Sequence, residues 1–308
     1  MLLVNLTPTI RPVTSFRECA LQCMNRQYRN KINLNIGLIY TIYLLRCLIL
    51  DYKFLAKQQL NYKRKIMLEF LNVTSGNRVA YHKTTGINPG IIFLGGFMSD
   101  MDGSKAVFLE EYARLNGVSY LRFDYPGHGK SSGAFKDGTI GSWYRDTVEV
   151  ISKLTSGPQV LVGSSMGGWI SLLIAKRVPK KVESMVIIAG APDFTEDSLW
   201  KNFSDVDKEK LENGQILIPS DYGSPYVITK NLILDGRQNL VLREKLDLPF
   251  PVRLLQGSAD TSVEVDTTLQ LFNNIMSPDV ELVLLKDEDH RFSSPKGLKL
   301  IERTLANL

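Results

Sequence analysis

A serine in a glycine-flanked turn has the clearest chemical signature in this chain. Residues 163–167 read Gly-Ser-Ser-Met-Gly, the G-x-S-x-G spacing of a nucleophile elbow, between a strand-like run and a helix-like run. Such a turn holds the serine hydroxyl above a sheet, at the positive end of a helix dipole, where developing negative charge is stabilised. The pattern predicts Ser165 as a nucleophile and leaves Ser164 as the variable position. The alternative is a Gly/Ser-rich turn without chemistry.

A serine hydroxyl needs a base that takes its proton, and the chain has three histidines. Enzymes with a nucleophile elbow keep the chain order nucleophile, acid, histidine. Only His290 lies C-terminal to Ser165, in the loop after the last predicted strand. We therefore predict His290 as the base. We expect His128 to hold the loop after its own strand and His82 to be a surface residue.

An aspartate between the nucleophile and the histidine completes the predicted triad. Asp260 follows the apolar strand-like run 252–256, so it is placed to orient the imidazole and to stabilise its protonated form. The alternative role for Asp260 is to cap the helix that follows. Its rivals are less suitable, because Asp266 falls within that helix and the acidic residues 287–289 lie too close to His290 in sequence.

Two backbone N–H groups are expected to form an oxyanion hole. One belongs to Met166, directly after the predicted nucleophile, and the other comes from the loop after the strand-like run 91–94. That loop begins Gly95-Gly96-Phe97, and paired glycines let the backbone approach a substrate oxygen. Phe97 is therefore the candidate second donor. An ordinary Gly-Gly turn is the alternative.

Strand-like and helix-like runs alternate along most of residues 67–308, which predicts a mostly parallel sheet covered by helices on both faces. An opening hairpin adds antiparallel strands at one edge. The alternation stops at 192–249, where the weakly helical segments 206–212 and 239–246 predict a small cap. The predicted strands are 68–73, 78–83, 91–94, 118–123, 159–162, 182–189, 252–256 and 281–285, and the predicted helices are 104–116, 143–154, 166–177 and 296–306.

The first 66 residues differ in composition from the rest. They hold eleven of the 37 Lys and Arg residues and two of the 32 Asp and Glu residues, a net charge of +9, which leaves a net charge of −4 for 67–308. This acidic balance argues against a nucleic-acid partner. Cys19, Cys23 and Cys47 are the chain's cysteines, so 67–308 holds no disulfide framework. The spacing of Cys19 and Cys23 does not suit a CxxC zinc site.

Three interpretations of residues 1–66 stay open. A basic, acid-poor, amphipathic segment is typical of mitochondrial targeting. The apolar run 36–50 suits a membrane or surface anchor, although it is short for a spanning helix and contains Arg46. Met67, just before the first predicted strand, is a candidate start of the mature protein. The protein is therefore expected to be mitochondrial if this segment targets it, and cytoplasmic otherwise, with no membrane span in 67–308.

Five motifs give the chain a family resemblance, and in chain order they are LGGFMSDMDG, FDYPGHGKSSG, GSSMGG, QGSADTSV and DEDHRF. Together they resemble the α/β-hydrolase superfamily throughout 67–308. GGFMSDMDGSKA with FDYPGHGKSSG is more closely similar to a mitochondrial family of palmitoyl-protein thioesterases and acyl-glucuronide esterases and to its bacterial relatives. The resemblance implies an α/β-hydrolase fold, the triad Ser165, Asp260 and His290, and Phe97 and Met166 as oxyanion donors.

The predicted chemistry is transfer of an acyl group to water through an acyl-enzyme, with no metal or organic cofactor, on a small-molecule or acylated-protein substrate. A serine peptidase or amidase on this fold is the alternative, followed by a non-catalytic binding protein. Dehalogenases and epoxide hydrolases place a carboxylate at the elbow, so Ser165 excludes both. Six cap residues are expected either to line an acyl pocket or to form the cap's own core: Phe194, Leu199, Trp200, Phe203, Tyr222 and Tyr226.

Overall fold

A computed structural model describes residues 68–219 and 225–308 of the chain. Residues 1–67, with the predicted targeting or anchor segment, and residues 220–224 lie outside the described residues. The strands are β1 Glu69–Asn72, β2 Arg78–Thr84, β3 Ile87–Leu94, β4 Val118–Phe123, β5 Gln159–Ser164, β6 Val182–Ile188, β7 Gln215–Ile218, β8 Tyr226–Thr229, β9 Leu246–Asp247, β10 Val252–Gly257, β11 Ile275–Met276 and β12 Val280–Leu285.

Eight of these strands form one sheet in the order β1-β2-β4-β3-β5-β6-β10-β12. The pairings β1–β2 and β2–β4 are antiparallel, and all others in this sheet are parallel. The predicted opening hairpin and parallel sheet are therefore confirmed. Because β3, β5, β6, β10 and β12 run in the same direction, the loops after their carboxyl ends meet at one edge of the sheet, where functional side chains gather in such folds.

Helices cover both faces of this sheet, as predicted. Alternation along β3 divides the core into two layers, because Ile91 and Phe93 pack with α1 and α7, whereas Ile92 and Leu94 pack with α2 and α3. The helices are α1 Ser104–Asn116, α2 Ile140–Leu154, α3 Met166–Arg177, α4 Asp205–Glu212, α5 Lys230–Arg237, α6 Val265–Asn274 and α7 Pro295–Ala306, with a π-helical segment Thr195–Trp200 and short 3₁₀ helices Phe135–Asp137 and Pro179–Lys181.

The helix boundaries follow local capping chemistry. α1 ends as predicted, with Gly117 in the left-handed region at φ 67°. α2 begins earlier than predicted, because Thr139 and Ser142 form a capping box. The Thr139 hydroxyl accepts a hydrogen bond from Ser142 N at 3.2 Å, and the Ser142 hydroxyl accepts one from Thr139 N at 2.8 Å.

The interval predicted as a cap contains α4, α5 and the antiparallel pair β7–β8. The helical prediction for 206–212 is confirmed, and that for 239–246 is wrong. There the buried carboxylate of Asp193 accepts hydrogen bonds from Val241 N at 2.8 Å and Leu242 N at 2.9 Å. The Asp193 side chain thus holds these two backbone donors, and the segment forms a turn.

The prediction that His82 is a surface residue is also wrong, because His82 is only 7% exposed. Its strand, β2, pairs with β1 and β4, and its consecutive residues 79–82 are buried, so both faces of the strand are covered there. His82 lies opposite Arg122 in the antiparallel register. Arg122 in turn contacts the buried carboxylate of Glu110 on α1 at 2.9 Å. The sequence position of β2 near the start of the sheet did not reveal that it is an interior strand.

No helix within the described residues is both long enough and apolar enough to cross a bilayer.

Replacing Asp193 by alanine is expected to lower the free energy of unfolding by about 2–4 kcal/mol, because two buried backbone N–H groups lose their acceptor. Asp197→Ala is the matched control, since Asp197 is exposed and its pairing with Arg243 contributes less than about 1 kcal/mol. Denaturant unfolding of the full chain measures both. Equal losses in the two variants would contradict the buried role of Asp193.

Candidate active site

Ser165 occupies a strained turn between β5 and α3. Its φ is 54° and its ψ is −119°, outside the usual range for a residue with a side chain. The turn is fixed by backbone contacts: Ser165 N donates to Ile188 O at 3.0 Å, and Ser165 O accepts from Gly168 N at 2.9 Å and from Ala191 N at 3.1 Å. The surroundings therefore impose the conformation that places the hydroxyl at the edge of the sheet.

Glycines on both sides of the turn let neighbouring backbone pass close to it. A Cβ at Gly163 would collide with the carbonyl of Gly167, and a Cβ at Gly167 would collide with the carbonyl of Leu94, the last residue of β3. The two glycines of the G-x-S-x-G motif are thus required by packing, in addition to any role in catalysis.

The three predicted triad residues lie in one hydrogen-bonded chain. His290 Nε2 lies 3.1 Å from Ser165 Oγ, and His290 Nδ1 lies 2.9 Å from Asp260 Oδ2. With Nδ1 protonated and donating to the carboxylate, Nε2 is left to accept from the serine hydroxyl. The structure therefore brings together residues that are separated by 125 and 30 positions in sequence.

Asp260 is held as a carboxylate. Its side chain has no exposed surface, and burial by itself raises its pKa, but the hydrogen bond and charge of His290 and two backbone N–H groups together bring the pKa below its usual value. Those N–H groups belong to Ser262 and Val263, which donate to Asp260 Oδ1 at 2.9 and 2.8 Å. The negative charge beside the imidazole is therefore present at neutral pH.

Gln256 is a site residue that the sequence reasoning did not single out. It lies buried in β10 and donates from its amide to Asp260 Oδ2 at 3.0 Å, while Thr268 on α6 donates to its Oε1 at 2.9 Å. The available signal was a polar residue near the end of an otherwise mostly apolar strand, four positions before the predicted acid. Gln256 thus links the Asp260 carboxylate to α6 through two hydrogen bonds.

The rival acids make other contacts. Glu288 is buried and accepts from Ser294 N at 3.2 Å, and it also contacts the Ser294 hydroxyl. Asp289 accepts from Phe292 N at 3.2 Å, and Asp266 lies in the first turn of α6. Asp260 is the carboxylate that the structure brings to His290.

The loop with the predicted oxyanion donor Phe97 lies beside the elbow. A Cβ at Gly96 would meet Ser165 Cβ at 3.4 Å, so the glycine backbone passes close to the serine. Met98 has a positive φ of 55°, and its N–H donates to His128 Nε2 at 3.2 Å. Met166, the other predicted donor, is the first residue of α3. The oxyanion roles of Phe97 and Met166 both remain predictions.

His128 holds this loop as well as its own turn. Its buried ring accepts from Met98 N, and its Nδ1 lies 3.4 Å from Pro126 O. Burial lowers the pKa of His128 to about 4, so the ring is neutral near pH 7 and Nε2 is available as an acceptor. The expected structural role of His128 thus extends to a second loop.

An open cleft of about 500 Å³ surrounds Ser165 and His290. Of the six cap residues named above, Phe194, Leu199 and Tyr226 line it. These three residues, and also Trp200 and Phe203, are partly buried and pack against the main core. Tyr222 lies outside the described residues. Three cap side chains thus both line the cleft and pack against the core, and their role in an acyl pocket stays a prediction.

Phe97 connects the loop after β3 with the cap. Its ring centroid lies 5.4 Å from that of Phe194 and 5.6 Å from that of Tyr226, both in edge-to-face geometry. On its other side it lies 4.8 Å from Phe135. Such aromatic contacts fix the ring and with it the loop backbone.

Gly167→Ala is expected to lower the free energy of unfolding by about 1–3 kcal/mol, because the added methyl group overpacks the contact between α3 and the end of β3. Gly103→Ala is the control, since a Cβ there meets only Asp100 O at 3.5 Å, an ordinary contact. Thermal and denaturant unfolding measure both variants. A Gly167→Ala protein as stable as the control would show that the close approach does not constrain the turn.

Comparison with known proteins agrees with this architecture. A family model described as the alpha/beta hydrolase fold matches residues 89–215. The chain is 35% identical over 248 residues to the rat protein named palmitoyl-protein thioesterase ABHD10, mitochondrial, covering 80% of this chain and 84% of the relative. A putative hydrolase from Agrobacterium vitis superposes with a TM-score of 0.75 at 36% identity, covering 79% of this chain and 98% of that one. Mouse alpha/beta hydrolase domain-containing protein 10 gives 0.73 at 34% identity, covering 78% and 97%. The chain therefore belongs to the α/β-hydrolase superfamily, and within it to the ABHD10 family of hydrolases.

Proposed function

We propose that this protein hydrolyses carboxylic thioesters and esters through an acyl-enzyme on Ser165, with His290 as base and Asp260 as its orienting acid. The observation that carries the proposal is the continuous hydrogen-bonded chain from Asp260 through His290 to Ser165 Oγ, at 2.9 and 3.1 Å, inside the cleft. Membership of a hydrolase family supports it independently.

In the first half-reaction, Ser165 Oγ attacks the substrate carbonyl while His290 Nε2 takes the hydroxyl proton. The imidazolium that forms is stabilised by the adjacent carboxylate of Asp260, whose charge is maintained by the hydrogen bonds described above. Negative charge develops on the carbonyl oxygen, and the N–H groups of Phe97 and Met166 are the proposed donors to it. Collapse of this intermediate breaks the bond to the leaving group, which takes the proton from His290.

The second half-reaction uses the same residues with water as nucleophile. His290 removes a proton from water, the resulting hydroxide attacks the acyl-Ser165 ester, and the proton returns to Ser165 Oγ as the acid product leaves. Every proton is thus transferred by one imidazole. The openness of the cleft gives water access to the acyl-enzyme.

On the cap side, the cleft wall is mostly apolar and suits an apolar acyl group. Phe194, Leu199 and Ile228 line this side together with the aromatic ring of Tyr226. The named relatives are palmitoyl-protein thioesterases, which have an apolar acyl group as part of their substrate. We therefore propose an acylated protein or an acylated small molecule as the substrate of this chain.

Ser165→Ala is expected to abolish covalent labelling by a fluorophosphonate probe and to lower kcat/KM on an acyl thioester by about 10⁴-fold or more, because the nucleophile is lost. The matched control is Ser164→Ala, which removes the neighbouring hydroxyl and is expected to keep the label on Ser165. Mass spectrometry of the labelled peptide and thioester turnover provide the two measurements.

A label that persists in Ser165→Ala would contradict the proposed nucleophile. Faster turnover of aminoacyl amides than of thioesters and esters with the same acyl group would favour the peptidase or amidase alternative. An intact chain that neither labels nor turns over any of these substrates would favour a binding protein.

Gln256→Leu is expected to lower kcat about tenfold with little change in KM, because Asp260 loses a charge-assisted hydrogen bond that orients the catalytic pair. Gln159→Leu is the control. Gln159 is also buried, but it donates to backbone carbonyls at the start of β5, the end of the strand opposite to the elbow. Steady-state kinetics and unfolding curves are measured together. A loss of stability in both variants without a selective fall in kcat for Gln256→Leu would contradict this role.

A further inference from the structure

One hydroxyl group in the cleft has no role in the mechanism described so far. Ser99 lines the cleft together with Ser165 and His290, and it follows the predicted oxyanion donor Phe97 by two residues. Ser99 is exposed. Within the described part of the chain, its hydroxyl makes no hydrogen bond, although its backbone N–H makes one. A serine hydroxyl carries one O–H donor, so this donor is available to a bound substrate.

A closed turn fixes the backbone of Ser99. Ser99 N donates to Gly96 O at 3.2 Å, which closes a four-residue turn over residues 96–99. Met98, at the third position, has a φ of 55°, a left-handed conformation that several tight turns require there. Its N–H donates to the buried ring of His128 at 3.2 Å. Two separate hydrogen bonds therefore hold the segment that carries the Ser99 hydroxyl.

This turn brings the Ser99 hydroxyl close to the elbow. A Cβ added to Gly96 would lie 3.4 Å from Ser99 Oγ and 3.4 Å from Ser165 Cβ. The two serine side chains are therefore on the same side of the Gly96 backbone, each within 3.4 Å of one point. Because glycine places no side chain at that point, the space beside both serines stays open for a substrate atom.

The location of Ser99 relates it to one atom of the substrate. In the proposed mechanism, negative charge develops on the carbonyl oxygen between the loop after β3 and the first residue of α3, where Phe97 and Met166 are the proposed donors. Ser99 belongs to that same loop. Serine hydroxyls act as oxyanion donors alongside backbone N–H groups. Since the protein offers the Ser99 hydroxyl no competing acceptor, its hydrogen is free to turn toward the oxyanion.

We propose that Ser99 is a further catalytic residue, whose hydroxyl donates a third hydrogen bond to the substrate carbonyl oxygen as that oxygen becomes negatively charged. The inference rests on the proposed function, because attack by Ser165 creates the oxyanion. Ser99 keeps its own proton throughout, and His290 transfers every proton of the reaction. The oxyanion forms in acylation and again in deacylation, so the hydrogen bond stabilises both transition states more than the neutral ground-state carbonyl.

Ser99→Ala in the full-length chain is expected to lower kcat on S-octanoyl N-acetylcysteamine about 10²-fold with little change in KM, because the lost hydrogen bond acts mainly in the transition state. Ser99→Thr keeps a hydroxyl group and is expected to keep most of the activity. Ser104→Ala is the matched control. Ser104 is an exposed serine at the start of α1 and is not among the residues that line the cleft, so kcat and KM are expected to stay unchanged.

Two ketone inhibitors separate a catalytic role of Ser99 from a structural one. Octylthio-trifluoroacetone adds Ser165 Oγ to its carbonyl and forms a hemiketal with an anionic oxygen, whereas the corresponding methyl ketone, octylthio-acetone, binds without forming that anion. Ser99→Ala is expected to raise the Ki of the trifluoromethyl ketone by about the factor by which kcat/KM falls, and to leave the Ki of the methyl ketone unchanged. Denaturant unfolding of each variant is measured alongside.

Two results would overturn the proposal. One is a Ser99→Ala variant with the kcat of the wild-type chain. The other is a variant that loses affinity equally for both ketones, as expected if the hydroxyl only supports the loop or contacts the neutral carbonyl. Either result leaves the proposed function intact. That function fails instead if the wild-type chain does not turn over the thioester, or if Ser165→Ala retains the turnover.

Discussion

The close backbone packing around Ser165 is the constraint on which the rest of the site depends. A residue with a side chain is held at φ 54°, a conformation that typically costs about 1–3 kcal/mol. It persists because β6 and the loop after it bind the Ser165 backbone and because Gly163 and Gly167 let neighbouring backbone pack closely against the turn. Contacts within the parallel sheet therefore compensate for the strained backbone of Ser165, and they fix the position of its hydroxyl.

Charge within the site is organised around this fixed hydroxyl. The carboxylate of Asp260 has no exposed surface, yet His290 and two backbone N–H groups bring its pKa below the usual value, and Gln256 donates a further hydrogen bond to it. Burial without those donors would favour the neutral acid, which is a weaker partner for an imidazolium. The donors come from β10, the loop after it and the His290 loop, so the electrostatics of the triad depend on several elements at once.

Aromatic packing connects the site with the cap. Phe97 contacts Phe135 on one side and Phe194 and Tyr226 on the other, so the loop predicted to bind the oxyanion is fixed by apolar contacts. His128 fixes the next residue, Met98, through a hydrogen bond that requires a neutral ring. Phe194 and Tyr226 also line the cleft, so the same aromatic contacts form part of its wall.

The amino-acid sequence is sufficient to predict the order of strands and helices along the chain, the elbow and the candidate triad. Those features depend on local spacing: alternation of apolar residues, glycines that flank Ser165, and the position of His290 as the one histidine downstream of it. α2 begins before its predicted start because of the capping box formed by Thr139 and Ser142. This capping box is nevertheless a signal that the sequence contains.

Tertiary structure alone decided other features. The burial of His82 depends on the elements that cover the faces of β2. The turn at 239–246 is held by the carboxylate of Asp193, more than 40 residues away in sequence. The contacts of Gln256 with Asp260 and of Lys105 with the Arg291 carbonyl likewise join separate elements. Local propensity carries no information about such partners, because a side chain's exposure and hydrogen bonds are set by whatever the fold brings next to it.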